Sequence, residues 1–540
     1  MRKDLIHKCE VLLIRPPLYH ESFTMDNAIR LDIPLGVLYL ASSLKKNNVE
    51  VCVYYSYTDL DIEDLERIYK SSKGPYLIGS SYQTILEKVE VANPKIVGIS
   101  CMFNKNVKQV VEISKLIKNH FPDKIIIVGG AATTSFTEEF LIQGESSIDI
   151  LCKGEGESTI VKTVGYVEGN LDVSQIPGIL YRDSNNRYIE SQGIKKIEDL
   201  DTIPFPAYEE VDMEHYFALR RCGFISRNTY NYPNIYKGIV FITSRGCPYK
   251  CVFCGNHLHM GRGIRFHSIE YVIEHIKYLN REYGVTHLHI EDDNLNCNVK
   301  HFVNMLDAIM KLPFKITWDA SNGMRGDLLA NEDLLKKIKR SGCNYVKIAV
   351  ESGDQEIVNK VVKKNIDLNK IIKTAQLCKK LHIDIHSFYI IGFVGENINQ
   401  IQKTIDFAKF LQKKYNVFPH MQVAEPIKGT ELYYLAKEKN FLIHNPSGVY
   451  PYSISTPEFN EELLRKRYVE PLIRDSKLLL LRSIIVNFNL KALISSLTFF
   501  FKIHKNLPFL SIREKLFKTM LSRTMYVYSN SGYIGVKERV

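Results

Sequence analysis

Strand-forming runs alternate with helix-forming runs in two successive series along this 540-residue chain, an alternation that restricts it to parallel α/β layers. In the first series CEVLLIRPP, VEVCVYYSY, PKIVGISCMF, KIIIVGG and IDILCKGEGE read as strands. Amphipathic helices such as NVKQVVEISKLIKNHF fall between them at 3.6-residue spacing. Crossovers of that length are right-handed, which predicts a doubly wound, Rossmann-like sheet over residues 1–165. Such sheets bind ligands beyond the carboxyl ends of their strands. The ends here are small: Gly98, Ser100, Gly129, Gly130, Gly154 and Gly156.

Residues 166–235, with IPFPAY, read as an irregular connector. The second series spans 236–435, and its strands are GIVFITSRGC, THLHIEDDN, KITWDASNG, YVKIAVESG, DIHSFYIIGFVGE and HMQVAEPIKGTEL. Six βα units predict a partial, open (β/α)6 barrel rather than a closed eightfold one. Residues 436–540 read as a basic helical C-terminal region. From Glu461 onward 15 Lys/Arg stand against 6 Asp/Glu, so this end carries most of the net +11. A basic end suggests a solvated helical face or one docking face for something acidic, and no nucleic-acid partner is expected. The segment SKLLLLRSIIVNFNLKALISSLTFFF lacks the roughly 18 uninterrupted apolar residues of a membrane span. It reads as a core helix beneath the barrel or as a peripheral membrane contact. With no secretory h-region at the start, a cytoplasmic location is expected.

Eleven cysteines then argue for thiols or metal ligands rather than disulfides. Eight are scattered, and three form Cys247-Pro-Tyr-Lys-Cys251-Val-Phe253-Cys254, just after the first strand of the second series. That spacing brings three thiolates to one loop, as iron–sulfur clusters require. A closed zinc site would need a fourth ligand, for which His257 and His259 are candidates. A cubane on three cysteines leaves one iron open for chemistry. Further candidate site residues sit at the carboxyl ends of the later strands: Glu291, Asp292, Asp293, Ser321, Asn322, Arg325, Glu351, Ser352, Gly392 and Glu396.

The triplet, with Phe253 before its third cysteine and at the end of a first barrel strand, resembles the radical S-adenosylmethionine superfamily over about residues 236–435. The resemblance implies a [4Fe–4S] cluster on Cys247, Cys251 and Cys254, with S-adenosylmethionine chelated at the open iron. Its reductive cleavage would give a 5′-deoxyadenosyl radical. Glu351 would partner the ribose hydroxyls and Arg325 the methionine carboxylate, while Phe253, Glu291, Asp292, Ser321, Ser352 and Gly392 would also bind cofactor. An electron donor such as ferredoxin or flavodoxin is implied.

Residues 9–165, through RPPLYH, IPLGVLYLASSL, PKIVGIS, VGGAAT and CKGEGE, resemble the cobalamin-binding domain fused upstream of such barrels. The resemblance places Ser100, Gly129, Gly130, Gly154 and Glu155 at cobalamin. One departure stands out: VYYSYTD has no histidine where a cobalt ligand would fall. The implied activity is cobalamin-dependent radical methylation of an unactivated carbon or phosphorus in a small-molecule or lipid-like substrate. The rivals are oxidative cyclisation, as in the anaerobic magnesium-protoporphyrin ester cyclases, carbon–carbon coupling, and a non-catalytic cobalamin sensor or carrier. A methylthiotransferase would need a second cluster on Cys9, Cys52 and Cys101, but these lie inside apolar strand patterns.

Overall fold

The computed structural model describes residues 5–20, 32–61, 64, 76–183, 185, 187–221, 237–444 and 451–475. Its strands, in chain order, begin with β1 (Val11–Arg15), β2 (Leu18–His20), β3 (Val51–Tyr55), β4 (Tyr76–Ile78) and β5 (Ile96–Ser100). β6 (Ile125–Gly129), β7 (Ile150–Cys152), β8 (Ile179–Arg182) and β9 (Tyr188–Glu190) follow. One sheet runs β3-β1-β5-β6-β7-β8-β9. Its first five strands are parallel, and β8 and β9 fold back antiparallel at one edge. β2 and β4 form a separate pair.

Central strands of such a sheet are buried on both faces and therefore read as unbroken apolar runs. In β1, Val11 and Leu13 face one apolar cluster, while Leu12 and Ile14 face another. The first of these clusters continues through Ile239, Leu288 and Val346 into the second half of the chain, so the two halves share one core. The sheet outruns the stretch expected for it: Ile179–Arg182 and Tyr188–Glu190, read as part of an irregular connector, belong to its edge. Their strands are too short to register as a period in a stretch crowded with turn residues.

The second half holds β10 (Gly238–Phe241), β11 (Ser244–Cys247), β12 (Gly263–Phe266), β13 (His287–Ile290) and β14 (Thr317–Ala320). β15 (Val346–Glu351), β16 (Ile385–Ile391), β17 (Phe418–Val423), β18 (Leu442–His444) and β19 (Tyr452–Ile454) complete the set. β10-β13-β14 and β15-β16-β17 are two three-stranded parallel sheets. Bridges Trp318↔Cys343 and Met324↔Ile348 join them where the chain crosses over. β11 and β12 stand apart as an antiparallel hairpin carrying the first cysteine of the triplet. Helices between the strands have clear end signals. Ile398–Tyr415 opens on an Asn397/Gln400 capping box, and Ile269–Tyr283 opens on Ser268 and stops at left-handed Gly284.

Residues 436–475 correct the all-helical expectation: β18 and β19 pair antiparallel before the helical stretch Glu461–Val469. The apolar segment beginning at Ser476, read as a core helix or membrane contact, lies outside the described residues. Among the described residues no helix is long and apolar enough to cross a membrane.

On the barrel strands β13 and β14 lies a buried polar knot. Asp319 Oδ2 is 2.9 Å from both His287 Nε2 and His289 Nδ1, and Arg220 reaches His289 Nε2 at 3.0 Å. These are the only three potential ligand atoms within 4.8 Å of one another among the described residues. The Arg220 guanidinium donates into the trio and brings a positive charge to it, so the three side chains are held by one another and by Arg220 within the core. Burial lowers His289, His275 and His386 to about 3 each and His267 to about 4. All four therefore stay neutral while folded. An unfolded histidine takes a proton near pH 6.5, so unfolding takes up protons between that value and about 3–4. Stability should accordingly fall as pH drops through this window. Asp319, held low chiefly by the imidazoles against the opposing effect of its burial, adds to the loss once the pH passes below its unfolded value. Denaturation midpoints measured from pH 7.5 to 4 test this. A flat profile would contradict it.

Candidate active site

A loop that leaves the end of a strand has no ladder to hold it, so its backbone groups need partners elsewhere. Asp292 fixes the approach to it through one backbone amide and two hydroxyls: it accepts from Thr243 N at 2.7 Å, from Thr243 Oγ1 at 2.5 Å and from Ser244 Oγ at 2.6 Å. Asp293 accepts Gly246 N at 2.9 Å. Within the triplet itself Val252 N donates to Val362 O at 3.0 Å, and Leu432 N donates to Val252 O at 2.9 Å. Cys247, Cys251 and Cys254 are each partly exposed on this braced loop, and Asn294 Nδ2 lies 3.7 Å from Cys247 Sγ.

Burial, reinforced by the neighbouring thiols, pushes Cys251 up to about 12 and raises Cys254, although Lys364 works against both. Partly buried thiols that resist ionising side by side are a donor set whose thiolate form a cationic iron core would stabilise. No three of the cysteine and histidine donors here converge within 4.8 Å, as a closed one-ion zinc site requires. His257 Nδ1 instead lies 3.0 Å from Cys254 O. The donor set fits an open multi-iron cluster.

A single cavity of about 1900 Å³ runs from the carboxyl ends of β5, β6 and β7 to the barrel mouth. One drug-sized ligand occupies roughly 300–1,000 Å³, so this space suits several ligands at once. Ser100, Gly129, Gly130 and Gly154 line its N-terminal side. Gly130 has φ +117°, and a Cβ there would stand 2.4 Å from the Cys101 carbonyl oxygen, so only glycine fits. The small rim leaves space for a bulky group against the strand ends, which fits cobalamin. Phe253, Glu291, Ser321 and Glu351 line the opposite side. Glu351 ends β15 at a register shift, with φ +68°, a conformation uncommon for a residue with a Cβ and one that clusters at functional sites. Its Oε1 lies 2.5 Å from Lys364 Nζ.

Four expected cofactor residues lie elsewhere. Asp292 is buried behind the cysteine loop, and burial pushes it up to about 6. Arg325 spends its guanidinium on Asp327 and on the carbonyls of Lys364 and Asn365 at 2.7–3.1 Å, stacked over Tyr249 at 4.1 Å. Ser352 Oγ pairs with Thr404 Oγ1 at 2.8 Å. Gly392 N donates to Glu396 Oε2 at 2.7 Å, and a Cβ on Gly392 would meet Leu464. Each holds the barrel together rather than facing the cavity. Glu155 does reach the cavity wall, yet both its oxygens are taken, by Arg245, Arg265 and Ile197 N. Lys364 had no signal in the sequence, because it meets Glu351 only through a tight turn after the segment Ile357–Val361.

A family model for the radical SAM superfamily matches residues 241–408, and one for the B12 binding domain matches residues 32–164. The chain is a B12-binding member of the radical SAM superfamily. It is an α/β protein with the B12-binding domain first and the radical SAM domain second. An uncharacterized methyltransferase of Pyrococcus horikoshii is 28% identical over 482 residues, covering 87% of this chain and 94% of its own length. The cytidylyl-2-hydroxyethylphosphonate methyltransferase of Streptomyces wedmorensis is 27% identical over 458 residues, covering 78% and 80%. The cobalamin-dependent S-adenosylmethionine radical enzyme OxsB, solved with aqua-cobalamin and S-adenosylmethionine, shares the fold at TM-score 0.65 and 17% identity. That likeness covers 96% of this chain and 71% of OxsB. This B12-binding radical SAM protein is therefore an enzyme whose cofactors are a [4Fe–4S] cluster, S-adenosylmethionine and cobalamin.

Arg325→Ala should lower unfolding stability by about 3–5 kcal/mol, because it leaves Asp327 and two carbonyls without their buried donor. Chemical denaturation checks this. A variant of unchanged stability with weakened S-adenosylmethionine binding would return Arg325 to the cofactor.

Proposed function

We propose that this enzyme methylates an unactivated carbon, or a phosphorus, of a small-molecule substrate held in the shared cavity. The observation that carries this reading is the continuity of that cavity between the N-terminal strand ends and the braced cysteine loop. Two relatives named as methyltransferases, each matching more than three quarters of the chain, support it. When bound, the three cofactors supply reductive cleavage of a sulfonium, hydrogen abstraction and a methyl group.

The chain's own residues would supply holding and exclusion. Cys247, Cys251 and Cys254 would ligate the cluster, and the Phe253 ring, 5.9 Å from that of Phe393, would wall the loop from the barrel interior. Glu351, with Lys364 beside it, presents a carboxylate to the cavity where it can accept from hydroxyl groups. Ser100, Gly129 and Gly130 leave space over the strand ends of the B12-binding domain. Enclosing two reactants in one cavity replaces a bimolecular encounter with a positioned one. An external one-electron donor of the ferredoxin or flavodoxin type would feed the loop.

Anaerobically reconstituted protein with dithionite should convert S-adenosylmethionine to 5′-deoxyadenosine. Cys247→Ala, Cys251→Ala and Cys254→Ala should each lose bound iron and reduce that product to background, by chromatography and iron assay. Full 5′-deoxyadenosine formation by any of the three variants would refute the ligand assignment.

A further inference from the structure

The hairpin that carries Cys247 places Arg245 directly opposite Arg265 across its two strands. Like charges facing one another on neighbouring strands are destabilising. The carboxylates that pair with them come from the other domain, Glu155 in the turn after β7 and Glu157 at the start of the helix Glu157–Val167. Glu155 Oε1 meets Arg245 Nη1 at 2.8 Å, Glu155 Oε2 meets Arg265 Nη1 at 2.7 Å, and Glu157 Oε1 meets Arg245 Nη2 at 2.5 Å. Ile197 N adds a hydrogen bond to Glu155 Oε2 at 2.9 Å, and Arg265 donates to Ile197 O. Tyr39, on the helix Leu35–Lys46, lies beneath the Arg245 guanidinium at 5.3 Å. None of the four charged side chains is more than 10% exposed.

Burying four charges costs several kcal/mol per ion before pairing, so such a network adds little net stability. What a buried network with each charge paired does give is a registered geometry. Here the register is between two named places. Gly154, beside Glu155, lines the crevice of the N-terminal sheet, and Arg245 stands two residues before Cys247. Asp292 and Asp293 hold the same Thr243–Gly246 backbone from the barrel side.

We propose that Glu155 and Glu157 are positioning residues: through Arg245 they fix Cys247 relative to the crevice of the B12-binding domain, so that filling the crevice is felt at the cysteine loop. This rests on the proposed function only in taking Cys247 as a cluster ligand.

The test uses full-length, cluster-reconstituted protein reduced with dithionite, with hydroxocobalamin as the probe. Low-temperature electron paramagnetic resonance reads the cluster, whose fast relaxation separates it from cobalt(II), and absorbance titration reads cobalamin binding. In the unmodified enzyme, cobalamin should shift the cluster spectrum. In E155Q/E157Q, iron content should be retained and cobalamin affinity kept within about threefold, while the shift disappears. Should E155Q/E157Q not fold, R245K serves: it keeps the charge but cannot bridge both glutamates, and its shift should shrink. A full shift in either variant, or none in the unmodified enzyme, overturns the proposal. So does a loss of cobalamin affinity beyond about tenfold with an unaltered cluster response, which would make Glu155 a ligand contact. Formation of 5′-deoxyadenosine by the unmodified enzyme is measured in parallel. Its absence would sink the proposed function, whereas its presence with a persistent shift would sink the clamp alone.

Discussion

The cysteine loop must borrow much of its order, because the β11–β12 ladder ends at Cys247 and no strand pairs with the residues from there to Cys254. In this enzyme the lenders come from every side. Asp292 and Asp293 grip Thr243, Ser244 and Gly246 from the neighbouring strand end. The carbonyl of Val362 and the amide of Leu432 grip Val252 from two later loops. Arg325 then fastens the turn containing Lys364 and Asn365, so the brace is itself braced. The radical SAM domain is in this sense a scaffold for one eight-residue segment.

The same logic explains why so many polar groups near the site do not face it. Asp292, Arg325, Ser352 and Gly392 sit where sequence position puts them, at strand ends, but their hydrogen bonds point inward. A strand end in a barrel has two jobs, lining the mouth and tying the following loop, and residues of similar chemistry do either. Glu351 and Ser352 are adjacent, yet one borders the cavity and the other is locked to Thr404. Glu396 is a further case: burial pushes it up to about 7 even while it accepts two backbone amides.

Periodicity disclosed the parallel strands of both halves, because long apolar runs bounded by amphipathic helices have few alternative readings. The cysteine spacing likewise carried its chemistry on its face. Three-residue strands such as Tyr188–Glu190 and Leu442–His444 escaped, since a period of two needs more than three residues to declare itself. Lys364 and the arginine pair of the β11–β12 hairpin escaped for another reason. Their meaning lies in contacts between segments 13 to 110 positions apart, which no local pattern encodes. CKGEGE suggested cobalamin contacts at Gly154 and Glu155, while Glu155 and Glu157 are spent on Arg245 of the radical SAM domain.

The turned-back strands at the edge of the N-terminal sheet have one more effect. A parallel sheet ending at β7 would offer an open row of amides and carbonyls to any neighbouring molecule with an extended segment. β8 covers that row, and β9 terminates it with three residues, of which Ile189 and Glu190 are exposed. Lys153 and Glu190 are joined across this margin at 2.6 Å, and Asp183 and Arg187 fasten its turn at 2.9 Å. Short, charged margins discourage strand addition between molecules. On that side the chain is its own bodyguard against aggregation.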